Sequence, residues 1–486
     1  MTDPLILAID QGTTGTTTGL YDQAGRSVKQ AYREIPQRYP QPGWVEHDPE
    51  ALWQSVVDTV AEATAGVADH IAAVGITNQR ETTVLWDAAS SRPLHPAIVW
   101  QCRRTSPACA ALQAHAADVR ERTGLPLDAY FSATKMRWLL EHVAGADRAT
   151  ARVGTVDSWL IWKLTSGQTH ATDVTNASRT LLLNLKTQRW DPELLRLFGV
   201  PAALLPEVRP SLADYGRIDA IPALRGVPIL GVAGDQQAAL FGQACFQRGQ
   251  IKNTYGTGCF LLMNTGAEPV RSARGLITTL AIGEAGQPCY ALEGSVFVAG
   301  AAVQWLRDGL GLIRQAGETA AAALAVPDNG GVYMVPAFVG LGAPHWDSEA
   351  RGAIVGITRG SRREHLIRAA LESIAYQTHD VFTAMEQETG TRAAVLAVDG
   401  GACANDFLMQ FQADILGRQV LRPTAIESTS RGAAWLAGLH AGVWRSTAAL
   451  ADLKACERAF TPTMADTDRN RLLAGWQKAL RQTLTR

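Results

Sequence analysis

Two stretches far apart in the chain carry residue types suited to holding phosphate: Ile9-Asp10-Gln11-Gly12-Thr13-Thr14-Gly15 and Asn253-Thr254-Tyr255-Gly256-Thr257-Gly258-Cys259. In each, an apolar strand (Leu5 to Ile9; Gln250 to Thr254) runs into small Gly and Thr residues and continues as a second apolar strand (Leu20-Tyr21; Phe260 to Met263). Glycine lets backbone amides approach an anion closely, and threonine hydroxyls add short donors without bulk. One such loop is ordinarily just a hairpin. Two in corresponding places predict a duplicated fold that grips nucleotide phosphates from both sides. A third element, Val398-Asp399-Gly400-Gly401-Ala402-Cys403-Ala404-Asn405, follows a predicted strand and opens a predicted helix. Its paired glycines would let a flat adenine lie against the backbone with Asn405 in reach; a tight strand-to-helix turn explains it equally well.

Charged residues stand at other turns. Asp10 ends the first strand at its hairpin, where an acid beside phosphates is tolerable mainly with a Mg²⁺ between them. Asp235, in Gly234-Asp235-Gln236-Gln237, sits between an apolar strand and the next helix, where a bare N-cap is the competing explanation. Arg80-Glu81 occupies the turn between two strands, and locally a solvated turn is the simpler reading. A Gly-Lys dipeptide is missing, which removes the Walker A loop, and no Gly-x-Gly-x-x-Gly follows a strand. Any nucleotide must be held by the hairpins.

The elements that would position these residues alternate in type. Strands are predicted at Leu5 to Ile9, Ala72 to Ile76 and Thr83 to Trp86. A helix is predicted from Asp48-Pro49, its Leu52, Val56 and Val60 forming one apolar stripe. The second half repeats the habit with Ile251 to Thr254, Leu261 to Asn264, a helix over Glu364 to Glu388, Val395 to Val398 and a helix from Asn405, and Ala320 to Ala325 favours helix. This is an α/β chain. At 486 residues it exceeds one core, so two domains are expected, 1–243 and 244–486, divided near Gly242. A net charge of -1 leaves no electrostatic footprint for nucleic acid or membrane. Seven scattered cysteines without a Cys-x-x-Cys pair suggest neither a disulfide framework nor zinc, and a reducing cytoplasm fits. No apolar run reaches the roughly 18 residues of a membrane span.

Asp10-Gln11-Gly12-Thr13-Thr14, Asn78-Gln79-Arg80-Glu81-Thr82, Val99-Trp100-Gln101-Cys102-Arg103-Arg104, Gly234-Asp235-Gln236-Gln237-Ala238-Ala239 and Tyr255-Gly256-Thr257-Gly258-Cys259-Phe260 together resemble the glycerol kinase group of the FGGY carbohydrate kinases. Two broader blocks agree: Tyr130-Phe131-Ser132-Ala133-Thr134-Lys135 with Trp138, and Gly352-x-Ile354-x-Gly356 followed by His365-Leu366 and Ala370-Leu371-Glu372. The resemblance spans essentially the whole chain. It implies two actin-like (ribonuclease H-like) domains with ATP, Mg²⁺ and a polyol meeting in the cleft between them, and transfer of phosphate to glycerol. It implies that Arg80, Glu81, Tyr130, Asp235 and Gln236 hydrogen-bond the glycerol hydroxyls and that Trp100 and Phe260 cover its carbon edge. It also implies that Thr13, Thr14, Gly15, Thr257, Gly300, Gln304, Gly401 and Asn405 line the nucleotide, that Asp10 orients the metal, and that Asp235 is the general base. A cytoplasmic homo-oligomer, dimer or tetramer, is expected. A kinase of another polyol or ketose on this fold is the near alternative, and an actin-like ATPase without small-molecule acceptor the remote one.

Two departures from the family pattern stand out. Gly15-Thr16-Thr17 follows the first hairpin where the family usually has Ser-Ser-Arg, a loss expected to weaken nucleotide binding. Arg431 stands where an apolar residue is usual, and is expected to be buried and to replace part of that lost charge. Ala220 to Leu230 has neither a Gly-rich effector loop nor a histidine, so regulation there is not expected.

Overall fold

The computed structural model describes residues 3–146, 149–424, 427–454 and 456–485. The first half is built on a sheet in which β1 (Leu5–Gln11) turns back into antiparallel β2 (Gly15–Tyr21), itself paired with β3 (Ser27–Glu34). Helix α1 (Pro49–Thr64) carries the crossover to β4 (Ile71–Asn78), which is parallel to β1. β5 (Ile229–Gly234) lies parallel to β4 and leads directly into α2 (Asp235–Gly242), giving the order β5-β4-β1-β2-β3. The predicted start of α1 forms as expected: Asp48 accepts from the Glu50 amide, Pro49 fills the first turn, and Leu52, Val56 and Val60 are wholly buried with Leu7, Ile9 and Leu20.

The second half repeats this plan. β6 (Ile251–Tyr255) and β7 (Cys259–Gly266) form a hairpin, extended antiparallel by β8 (Ile277–Ile282) and β9 (Pro288–Val296). After α3 (Gly300–Asp308) and the long α4 (Arg363–Thr389), β10 (Val395–Asp399) returns parallel to β6. α5 (Asp406–Leu416) then leads to β11 (Gln419–Pro423), parallel to β10, and β12 (Cys456–Phe460) closes that edge. The order β9-β7-β6-β10-β11 has the same strand directions as β3-β2-β1-β4-β5, with β8 and β12 added outside. The α/β class and the duplication are those expected from the two hairpins.

The chain crosses back from the second half to the first. Helix α6 (Ser428–His440), late in the chain, packs on β1, β4, β5 and α2 of the first half. It comes so close that side chains are excluded: a Cβ on Gly75 would lie 2.0 Å from the Ala433 carbonyl oxygen, and one on Gly432 1.9 Å from that of Ala238. Backbone cannot swing aside as a flexible side chain can. Gly432→Ala is therefore expected to destabilise the protein by ~1–3 kcal/mol, the usual range for overpacking, visible as a lower Tm in thermal unfolding; an unchanged Tm contradicts this close contact. Among the described residues no helix is long and apolar enough to cross a membrane, and all seven cysteines are unpaired.

Candidate active site

The turn after β4 is not solvated. Arg80 and Glu81 are only 3% and 1% exposed, and Glu81 holds a left-handed backbone (φ 62°), unusual for a residue with a side chain. Isolated charges do not survive such burial without partners. Those partners come from distant parts of the chain. Arg80 donates from Nη1 and Nη2 to Glu293 of β9 (2.6 and 3.0 Å), and Arg179 donates from Nε to Glu81 (2.6 Å) and from Nη2 to Glu293 (3.1 Å). Burial would raise the Glu293 carboxyl, but Arg179 and Arg80 more than offset it and hold it at about 2. For Glu81 burial is the larger influence, and its carboxyl is raised despite the two arginines.

Asp235 joins this cluster from the first residue of α2. Its Oδ1 lies 3.2 Å from Arg80 Nε and accepts the Gln236 amide at 2.7 Å, and the side chain stays 30% exposed. A carboxylate oriented on one side and open on the other suits proton exchange with a bound molecule. Gln236 is tied to the second half, its Oε1 accepting from Lys252 Nζ at 2.6 Å while that ammonium also reaches Thr254 Oγ1 at 2.7 Å. Burial pulls Lys252 down to about 8. Arg80, Arg179 and Lys252 thus face Glu81, Glu293 and Asp235.

An aromatic wall stands beside these charges. Trp100 and Tyr130 meet edge to face with centroids 5.6 Å apart, and the Arg179 guanidinium lies 5.5 Å from the Tyr130 ring. Lys135 donates to the Tyr130 and Phe131 carbonyls (2.5 and 2.9 Å), pinning that loop. Trp100 Nε1 donates to Thr13 Oγ1 at 2.9 Å, which joins the wall to the first hairpin. Phe260 is half-buried at the start of β7, paired in register with Thr254.

The two hairpins close alike: the Gly12 amide donates to the Gly15 carbonyl and the Gly256 amide to the Gly258 carbonyl, each at 2.9 Å. Thr14 and Thr257 are exposed at their tips, and Thr13 is half-buried. Gly15 has a packing reason, since a Cβ there would stand 2.4 Å from the Tyr32 ring. Gly300 docks α3 on the second hairpin: its amide donates to the Gly256 carbonyl (3.0 Å), and a Cβ would come within 2.6 Å of that oxygen. Gln304 is exposed one turn further along α3. Gly400 (φ 86°) abuts the Tyr255 carbonyl, whereas nothing lies within 4 Å of a Cβ on Gly401, leaving that face bare. Asn405 is committed to structure, its Oδ1 accepting the Leu408 amide and its Nδ2 donating to Thr319, both at 3.0 Å.

Asp10 is the last residue but one of β1, and its carboxyl is raised well above the usual range by burial and by the nearby carboxylates of Asp235 and Glu427. Among the described residues no group of three or more His, Cys, Asp or Glu side chains could hold a metal by itself. Arg431 is buried, as expected; its Nε donates to the Gly242 carbonyl (2.9 Å) and its guanidinium lies 5.2 Å from the Trp435 ring. These contacts brace the junction of α2 and α6.

Sequence reasoning missed Glu293, Arg179 and Lys252. For Glu293 the signal was a lone charge inside an apolar run, Ala291-Leu292-Glu293-Gly294, which forces a search for buried partners; the polar neighbours of Lys252 and Arg179 gave none.

The sequence profile of the FGGY family of carbohydrate kinases, N-terminal domain, matches residues 5–242, and that of its C-terminal domain residues 251–441. The chain belongs to the FGGY family of carbohydrate kinases. This FGGY kinase is 57% identical to the glycerol kinase of Symbiobacterium thermophilum over 486 residues, 98% of this chain and 97% of that one. It is 55% identical to the glycerol kinase of Aeromonas salmonicida, again over 98% of this chain and 97% of that one. Its structure superposes on the glycerol kinase of Plasmodium falciparum, solved with ADP, with a TM-score of 0.93 and 37% identity over 100% of this chain and 99% of that one.

Proposed function

We propose that this FGGY kinase transfers the γ-phosphoryl group of ATP to a primary hydroxyl of glycerol, giving sn-glycerol 3-phosphate. The observation that carries this reading is the burial of Arg80 and Glu81 beside Asp235, at a spot linked to the first hairpin through Trp100 and Thr13 and to the second through Gln236, Lys252 and Thr254. High identity to glycerol kinases along the whole chain supports the acceptor. A substrate that is nearly all hydroxyls needs several paired polar groups, and Arg80, Glu81, Tyr130 and Gln236 supply them. Trp100 and Phe260 cover the carbon edge.

Asp235 accepts the proton of the attacking hydroxyl while that oxygen bonds to the γ-phosphorus and the bond to the bridging oxygen of ADP breaks. Such transfer is mostly positioning and charge neutralisation. Thr13, Thr14, Gly15 and Thr257 offer hairpin donors to the phosphates. Gly300, Gln304, Gly401 and Asn405 border the nucleoside, the bare face of Gly401 suiting a flat base. Asp10, in its crowded acidic surroundings, would hold Mg²⁺ with phosphate oxygens and water completing the shell, and the ion would offset phosphate charge. In this reading residues 1–243 and 244–486 are the two lobes, with α6 reaching across, and the enzyme works in the cytoplasm as a dimer or tetramer.

Trp100→Phe keeps a ring but removes the bond to Thr13, a loss of about 0.5–1.5 kcal/mol. The Michaelis constant for ATP is expected to rise roughly two- to tenfold, and an unchanged value contradicts a link between wall and hairpin. The reading as a whole is tested by ADP release with glycerol, dihydroxyacetone, erythritol, xylulose and ribulose. Glycerol is expected to give the highest kcat/KM; preference for a ketose, or ADP release independent of any acceptor, contradicts it.

A further inference from the structure

The two carboxylates that the proposed function turns toward the acceptor are each held by an arginine, and both arginines end on one residue of the other lobe. Glu293, wholly buried in the middle of β9, accepts from Arg80 through both oxygens (2.6 and 3.0 Å) and from Arg179 through Oε1 (3.1 Å). The guanidiniums present their remaining Nε edges to the site: Arg80 Nε lies 3.2 Å from Asp235 Oδ1, and Arg179 Nε 2.6 Å from Glu81 Oε1. Gln237 adds a lesser support, its Oε1 accepting from Arg80 Nη1 at 3.2 Å. Two like charges side by side in a dry interior repel unless a shared anion sits between them. Glu293 is that anion, and its forked geometry sets the plane of Arg80.

We propose that Glu293 is a positioning residue for the acceptor site: a carboxylate from the second lobe that fixes both arginines and, through them, the directions of Glu81 and Asp235. This deepens the glycerol kinase reading and rests on it. A bridge serving stability alone would leave the two substrates equally affected when it is weakened, whereas a positioning residue acts on the acceptor side.

Glu293→Gln keeps the shape and removes the charge. Its Michaelis constant for glycerol is expected to rise roughly ten- to a hundredfold, the range for charge-assisted bonds, with that for ATP within about twofold. An unliganded crystal structure of this variant is expected to show Arg80 Nε out of contact with Asp235. If Glu293→Gln does not fold, Arg179→Lys, which keeps the charge but loses the fork, is expected to give the same one-sided rise. Equal rises for both substrates in a folded variant, or unmoved arginines with unchanged constants, overturn the proposal. Wild-type protein that leaves glycerol unphosphorylated defeats the functional reading instead, and the arginine positions in the unliganded variant still decide this one.

Discussion

Asp235→Asn is expected to lower kcat for glycerol phosphorylation by about 10²- to 10⁴-fold, the usual contribution of a positioned general base. The substitution keeps the side chain's size and its place at the head of α2, where Oδ1 takes the Gln236 amide and faces Arg80 Nε. Binding of both substrates should therefore change little, and the loss should fall on turnover. Steady-state rates with saturating glycerol and ATP give the answer. Near-normal turnover would remove Asp235 from the reaction and leave it as a first-turn carboxylate, one place after the Gly234 N-cap, that accepts the Gln236 amide.

Arg80→Ala is expected to act on stability and on the acceptor together. Its guanidinium is the bidentate partner of Glu293 and also faces Asp235, so its loss leaves Glu293 hydrogen-bonded to Arg179 and, beyond that, only the more distant Lys252 charge to answer the buried carboxylates. Breaking one side of a buried ion pair typically destabilises by ~3–5 kcal/mol. In protein that still folds, the glycerol KM should rise by roughly ten- to a hundredfold while the ATP KM moves far less. Urea unfolding and the two Michaelis constants measure these effects. Equal shifts for both substrates, or unaltered stability, contradict the role given to the pair.

Much of the scaffold was legible because it is local. The hairpins announce themselves by Gly and Thr between apolar strands, α1 by its Asp48-Pro49 start and its apolar stripe at every fourth residue, and the strand-to-helix turn at Asp235 by its glycine. The character of the Arg80-Glu81 turn was not legible from its neighbours. Its partners lie 213 residues away at Glu293 and 98 at Arg179, and only folding of the second half against the first creates the dry setting in which the charges pair. The glycines were legible as tight places but not for their reasons: Gly15 is held by Tyr32 and Gly300 by the second hairpin, whereas Gly401 opens onto free space. The packing of α6 on the first-half sheet was likewise hidden, because a stretch such as Ser430-Arg431-Gly432-Ala433 does not say which sheet its small residues meet.

In the proposed function, acceptor and phosphate meet between the two hairpins with Asp235 at the acceptor. A crystal structure with glycerol, Mg²⁺ and a non-hydrolysable ATP analogue tests it most directly. The γ-phosphate is expected between Thr13-Thr14 and Thr257, with an Asp235 carboxylate oxygen about 2.6–3.2 Å from a glycerol hydroxyl that points at the phosphorus. Glycerol bound away from Asp235 and Arg80, or phosphates outside the hairpins, would contradict it.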